Sequence, residues 1–241
     1  MSQQSSYPIR CPKCAAEQTI SLYDAINVAE DPLLRKQLLE NKLNAVTCPD
    51  CGFLFRVDKN LVYSDAGRKL LIFLVPTPEE KYEQGEEQFI SMLSELSGML
   101  PDDMNAPSVH LVFSRVELVE RIFLIEAGLD ERLVEYIKYT LYTRNASQVD
   151  PARKALLFNA TDSTPDHLCF VVQDVETRKL EAMLQYTREA YDGLVEMFSA
   201  DGNSADLFEL FPGPHISARA LLLRELSESQ EPESFDSDPE N

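Results

Sequence analysis

Along the chain, the spacing of apolar positions changes several times, and each change marks an element. Glu17 to Tyr23 alternates, with Ile20 and Leu22 on one side, and predicts a short strand. Asp31-Pro32 opens a helix, because Asp suits the N-cap and Pro the first turn. Leu33, Leu34, Leu38 and Leu39 follow at helical spacing, and Asn41 is the expected stop. Leu43 to Thr47, Phe53 to Val57 and Leu61 to Tyr63 are short extended stretches. Asp58-Lys59-Asn60 and Ser64 to Gly67 read as turns, and Lys69 to Val75 as a buried strand.

Val75-Pro76-Thr77-Pro78 interrupts this apolar run, and the domain boundary is expected there. Thr77-Pro78-Glu79-Glu80 then reads as a capping box opening a helix to about Met99. One face of that helix carries Tyr82, Phe89, Leu93 and Leu96, and the other Glu79, Glu83, Glu86 and Glu87. Val109 to Phe113 is a strand, and Ser114 to Glu117 a second capping box. Its helix presents Leu118, Ile122 and Ile125, Gly128 stops it, and Asp130 caps a further helix with Leu133, Ile137 and Leu141 inward. Ala155 to Phe158 and His167 to Val172 predict strands, while Leu180 to Tyr186 fits either period. Helices over Ala190 to Phe198 and Ile216 to Leu226 complete an α+β pattern.

Four of the five cysteines form a frame: Cys11-Pro12-Lys13-Cys14, then Cys48-Pro49-Asp50-Cys51-Gly52. Two Cys-x-x-Cys turns supply the four corners of a tetrahedral thiolate site, so one structural Zn²⁺ on Cys11, Cys14, Cys48 and Cys51 is expected. Pro stiffens each turn, and Gly52 admits the positive φ that closes such a knuckle. The spacer is longer than the usual ~15–20 residues, which loop entropy tolerates because it grows only logarithmically. Redox chemistry, paired disulfides and another metal stay open at this stage. The strand-like sequence after Cys51 argues against a redox pair at a helix N-terminus, and cytosolic thiols stay reduced.

Charge sharpens the picture. The chain has 241 residues, 44% hydrophobic and 26% charged, with a net charge of -19. Residues 1–75 carry 9 Lys and Arg against 8 Asp and Glu, so all of the excess acid lies beyond them. A polyanion is a poor general binder of nucleic acid. No apolar run is long enough to span a bilayer, and the polar start has no signal-peptide core, so a cytoplasmic protein without membrane contact is expected. The organisation expected is an N-terminal zinc-ribbon-like domain with an inserted helix over 1–75, an acidic α+β domain over 76–226 and a disordered acidic tail over 227–241.

Cys11-Pro-Lys-Cys14, Leu22 to Asn27, Asp31-Pro32-Leu33, Leu43-Asn44, Cys48-Pro-Asp-Cys51-Gly52 and Leu61-Val-Tyr63 together resemble the bacterial CpXC domain family. Glu117 to Ile122 and Gly128 to Lys138 are similar to the helical part that follows in such proteins, so the likeness covers roughly residues 8 to 140. The resemblance implies a metal-binding domain of unassigned biochemical role in cytoplasmic bacterial proteins, and it transfers only the four cysteine positions.

No catalytic constellation is legible. His167 and Cys169 share a face of one strand, but a thiol in an apolar strand behaves as a small hydrophobe. His110 and His215 read as surface or satisfied core residues. The expected role is a protein-interaction or scaffold module with a protein partner. The alternatives are a nucleic-acid-associated zinc-ribbon protein, disfavoured by charge, and an enzyme with an unrecognised site in the C-terminal domain.

Overall fold

The computed structural model describes residues 1–97, 108–199 and 204–229. The chain divides into two compact units, the first made of Met1–Glu126 with Pro212–His215, the second of Ala127–Phe211 with Ile216 onward. In the first unit the order is β1 (Gln3–Arg10), β2 (Glu17–Asn27), α1 (Pro32–Leu39), β3 (Ala45–Thr47), β4 (Leu54–Arg56), β5 (Leu61–Asp65), β6 (Leu70–Leu74), α2 (Tyr82–Ser97), β7 (Ser108–Val112) and α3 (Arg115–Glu126). Its main sheet runs β1-β2-β5-β6-β7, and β3 and β4 form a separate hairpin. β1 pairs antiparallel with β2, β2 parallel with β5 over Ala25–Asn27 only, β5 antiparallel with β6, and β6 parallel with β7. α1 and the β3–β4 hairpin therefore lie in the crossover from β2 to β5.

β6 explains the continuous apolar run from Leu70 to Val75. Leu70, Ile72 and Leu74 pack with Ile26, Leu34, Leu38, Leu118 and Ile122 on the α1 and α3 side. Phe73 and Val75 pack with Phe89, Leu111 and Phe113 on the α2 side. A strand buried on both faces loses the alternation that a half-buried strand keeps.

The division expected at Val75–Pro78 does not coincide with the division into compact units. Val75 N–H donates to Val112 O (2.9 Å) and Thr77 N–H to Phe113 O (3.3 Å), so the pairing with the β7 side continues through this stretch. Pro76 and Pro78 take the alternate positions, whose missing N–H would point away from β7, which is why they do not break the sheet. The capping box expected at Thr77 is not made either: its hydroxyl donates to Val75 O (2.8 Å), and a single 3₁₀ turn, Glu79–Lys81, leads into α2. The box at Ser114 is made, with Glu117 N–H donating to Ser114 Oγ (3.2 Å) and Phe113 N–H to Glu117 Oε2 (2.9 Å). β1 was not legible in the sequence, because an edge strand containing Pro8 has only Tyr7 and Ile9 half-buried among its last residues.

The second unit comprises α4 (Glu131–Arg144), β8 (Lys154–Phe158), β9 (His167–Asp174), β10 (Leu180–Thr187), α5 (Arg188–Ser199), α6 (Ser204–Leu210) and α7 (Ala218–Glu228). Its antiparallel sheet runs β10-β9-β8, and the ambiguous Leu180–Tyr186 stretch belongs to β10. Gly128 has the left-handed φ (66°) of a helix stop, and Asp130 Oδ1 accepts from Leu133 N–H (3.1 Å), capping α4 as expected. Tyr142, Val149, Leu156, Val172 and Leu222 form the core against α4 and α7. The molecule is thus a mixed α+β protein. Among the described residues no helix is long and apolar enough to cross a membrane. Met99, the Leu96 side chain and residues 230–241 of the expected tail lie outside the described residues.

Candidate metal centre

The two Cys-x-x-Cys turns sit at the tips of two hairpins and repeat one another bond for bond. In the first, between β1 and β2, Cys11 N–H donates to Ala16 O and Ala15 N–H to Cys11 O, both at 2.9 Å. In the second, between β3 and β4, Cys48 N–H donates to Phe53 O and Gly52 N–H to Cys48 O, again at 2.9 Å. The residue after each second cysteine is left-handed: Ala15 at φ 59° and Gly52 at φ 67°. Gly52 was expected there. Its counterpart Ala15 was not, because alanine does not advertise a positive φ.

These turns bring all four Sγ atoms within 4.8 Å of one another. Across the hairpins, Cys11 Sγ lies 3.7 Å from Cys51 Sγ, and Cys14 Sγ 3.6 Å from Cys48 Sγ. A disulfide needs about 2.05 Å, so the thiols are free. With metal–sulfur bonds of about 2.3 Å, the edge of a tetrahedral thiolate site is about 3.8 Å, close to both separations. Cys11 and Cys48 are buried, Cys51 is half-buried and Cys14 exposed.

Cys11, Cys14 and Cys51 hold their protons unequally. Lost hydration raises Cys11, but the Cys14 and Lys13 amides and the Cys14 and Cys48 thiols outweigh it and bring it to about 7. Cys14 moves the other way: the Ala16 amide lowers it, yet Cys51, lost hydration, Cys11 and Cys48 hold it up to about 12. At Cys51 the Phe53 amide lowers the thiol, while lost hydration, Cys11 and Cys48 leave it raised. One thiolate is thus stabilised by neighbouring S–H groups, and further ionisation is opposed by like charge. A divalent cation at the centre removes that opposition and would take the remaining protons off.

Asn44 brings the hairpins together. On the edge of β2 opposite β1, no strand among the described residues pairs at Tyr23, since the pairing with β5 begins at Ala25. The buried Asn44 side chain takes that place, accepting from Tyr23 N–H (2.9 Å) and donating to Tyr23 O (3.1 Å), while its own carbonyl accepts from Val57 N–H (3.1 Å). Asn44 is left-handed (φ 57°), which Asn tolerates better than most residues. Lys13 lies 5.7 Å above the Phe53 ring, and Phe53 stacks on Phe55. Tyr7 OH donates to Asp24 (2.5 Å), which also pairs with Lys59, tying β1 to the turn after β4.

A family model described as CpXC protein matches residues 9–138. The chain belongs to the CpXC protein family. Searches of curated proteins and of solved structures found no match. The matched stretch contains all four clustered cysteines, Asn44 and the whole main sheet from β2 to β7, and it extends into α4.

The remaining sequence candidates stand apart from this CpXC centre. Cys169 is buried in β9, its thiol directed to Asp162 O (3.1 Å). His167, on the same strand, is half-buried, and His110 is buried in β7. His215 is a satisfied residue with a buried side chain: its imidazole Nε2 lies 3.2 Å from Glu117 Oε2, and its backbone N–H donates to Glu86 Oε1 (3.1 Å). Its ring packs against Phe113 and Tyr82. Loss of hydration raises the Glu117 carboxyl, but His215 and the Phe113 amide outweigh it and lower it overall. Glu86, expected on the acidic face of its helix, is therefore engaged, and no spacing in the sequence signals a partner this distant.

Proposed function

We propose that Cys11, Cys14, Cys48 and Cys51 hold one structural Zn²⁺, and that this CpXC protein is a cytoplasmic, metal-clamped interaction module with a zinc-ribbon-like first lobe. The observation that carries the metal reading is the pair of cross-hairpin sulfur separations, 3.7 and 3.6 Å, which suit the edges of a zinc–thiolate tetrahedron. The repeated hydrogen bonds of the two turns support the ribbon comparison. An all-thiolate donor set favours zinc over harder divalent ions. Four sulfur ligands fill the coordination sphere, so the ion would cross-link and would not activate water. Phe53 and Leu54, exposed at the second hairpin, favour a protein partner, while a net charge of -19 disfavours nucleic acid.

Elemental analysis with thiol counting tests the reading. The purified protein is expected to hold one zinc per chain, with only Cys169 reactive on mild denaturation and all five thiols reactive after chelation. Stoichiometric iron, or two disulfides, would overturn it. For the partner reading, binding is expected to be retained by the metal-loaded protein and lost in Cys48→Ser.

A further inference from the structure

Beside the cysteine hairpins, two arginines compete for one carboxylate. Arg56, at the end of β4, places Nε 3.3 Å from Asp58 Oδ1 and gives Nη1 to Asn41 Oδ1. Arg115, the first residue of α3, places its own Nε 3.5 Å from the same Asp58 oxygen. That distance is an ion pair, too long for a hydrogen bond. The Arg115 side chain is only 10% exposed, and among the described residues its buried Nε and Nη1 have no hydrogen-bond partner. Asp58 is the loose member, 53% exposed on the turn after β4.

A guanidinium withdrawn from water with donors unmatched is costly unless something else accepts from them. The surroundings agree: burial and then repulsion from Arg56 lower the Arg115 pKa against the opposing pull of Asp58. One planar carboxylate, meeting both arginines through a single oxygen, cannot serve all these donors. A tetrahedral oxyanion has enough oxygens to accept from both guanidinium forks at once.

We propose that Arg56 and Arg115 form a binding site for a phosphate group, which Asp58 occupies in the empty protein and vacates when the phosphate arrives. The site is independent of the metal reading, since neither arginine contributes to the sulfur cluster. Entry requires that the half-exposed Asp58 side chain rotate into solvent and uncover the Arg115 donors. Asp58 is then an internal competitor, and its removal strengthens binding.

Calorimetric titration of the metal-loaded protein with inorganic phosphate, at neutral pH and an ionic strength held constant with chloride, tests this. Saturable binding of one phosphate per chain is expected. Arg56→Met is expected to weaken it about tenfold, the loss of one charge-assisted hydrogen bond, and Asp58→Asn to tighten it. Arg115→Lys, which keeps the charge and removes the fork, is expected to weaken it as well. Phosphoserine in a second arm separates the sources: tighter binding than orthophosphate indicates a phosphorylated partner, and weaker binding the free ion. Absence of saturable heat above the chloride control overturns the proposal, as does an affinity unchanged in both Arg56→Met and Asp58→Asn. A circular dichroism spectrum of each variant separates lost binding from lost fold.

Discussion

Ala15 holds a left-handed backbone at the position where the second turn has Gly52. Its Cβ costs roughly 1 kcal/mol or more there, partly offset by the greater freedom glycine brings to the unfolded chain. Ala15→Gly is expected to stabilise the metal-loaded protein by about 0.5–1 kcal/mol in urea denaturation; a loss of stability would mean the two turns are not equivalent. Asp24 carries a second expectation. Burial raises its carboxyl, but the Lys59 ammonium and the hydroxyls of Ser5 and Tyr7 bring it down to about 2. A folded-state pKa below the unfolded value of about 3.9 gives stability that is fully present above it and lost as pH falls toward 2. With solvent screening the contribution is on the order of 1 kcal/mol. The stability gap between wild type and Asp24→Asn should hold steady above pH ~5 and close between pH ~4 and ~2; a gap of constant size would refute the assignment. Residues whose role is local were legible: Gly52, Ser114 and Asp130 each act within a few positions of themselves, and the cysteines, whose partners are 34 and 40 residues away, were legible because the Cys-x-x-Cys spacing repeats. Asn44 and His215 were not, because their partners Tyr23 and Glu117 lie 21 and 98 residues away.

At the scale of elements, α2 shows how tertiary contact overrides local preference. Glycine inside a helix ordinarily costs about 1 kcal/mol against alanine. At Gly85, however, a Cβ would sit 3.0 Å from Phe113 Cε1 and 3.3 Å from Cζ, in the ring cluster that Tyr82 and Phe113 share with His215. Gly85→Ala is therefore expected to lower stability by about 1 kcal/mol through overpacking, reversing the helix-propensity gain; calorimetric melting reads the sign directly. The same override explains the expectations that differ from the structure. Thr77 has the sequence of a cap, but Val75 O, held in the ladder beside β7, claims its hydroxyl. Leu180 to Tyr186 fits two periods on its own, and pairing with β9 makes it a strand. α3 and the start of α4 were legible almost to the residue, because their caps and apolar faces agree.

At the scale of the molecule, the first unit depends on a crossover whose inserted hairpin has two three-residue strands and little apolar surface of its own. Short strands of this kind are marginal alone, and a structural zinc contributes on the order of 10 kcal/mol to such a lobe. Chelation is expected to raise hydrogen exchange sharply in Gln3–Asn27 and Ala45–Arg56 while the β8–β10 sheet stays protected, as resolved by peptide mass spectrometry. Uniform protection with and without metal would show that the clamp is dispensable. The loop Pro212–His215 adds a constraint of a different kind. It belongs to the first unit, yet it is encoded after Ala127–Phe211, most of the second. A ribosome that has delivered Met1–Glu126 has not yet supplied the imidazole for Glu117 or the amide for Glu86. The earliest-made half of this protein therefore waits for one of the last-made loops before its own interior is complete, and a truncated chain ending at Glu126 lacks part of the lobe it was meant to isolate.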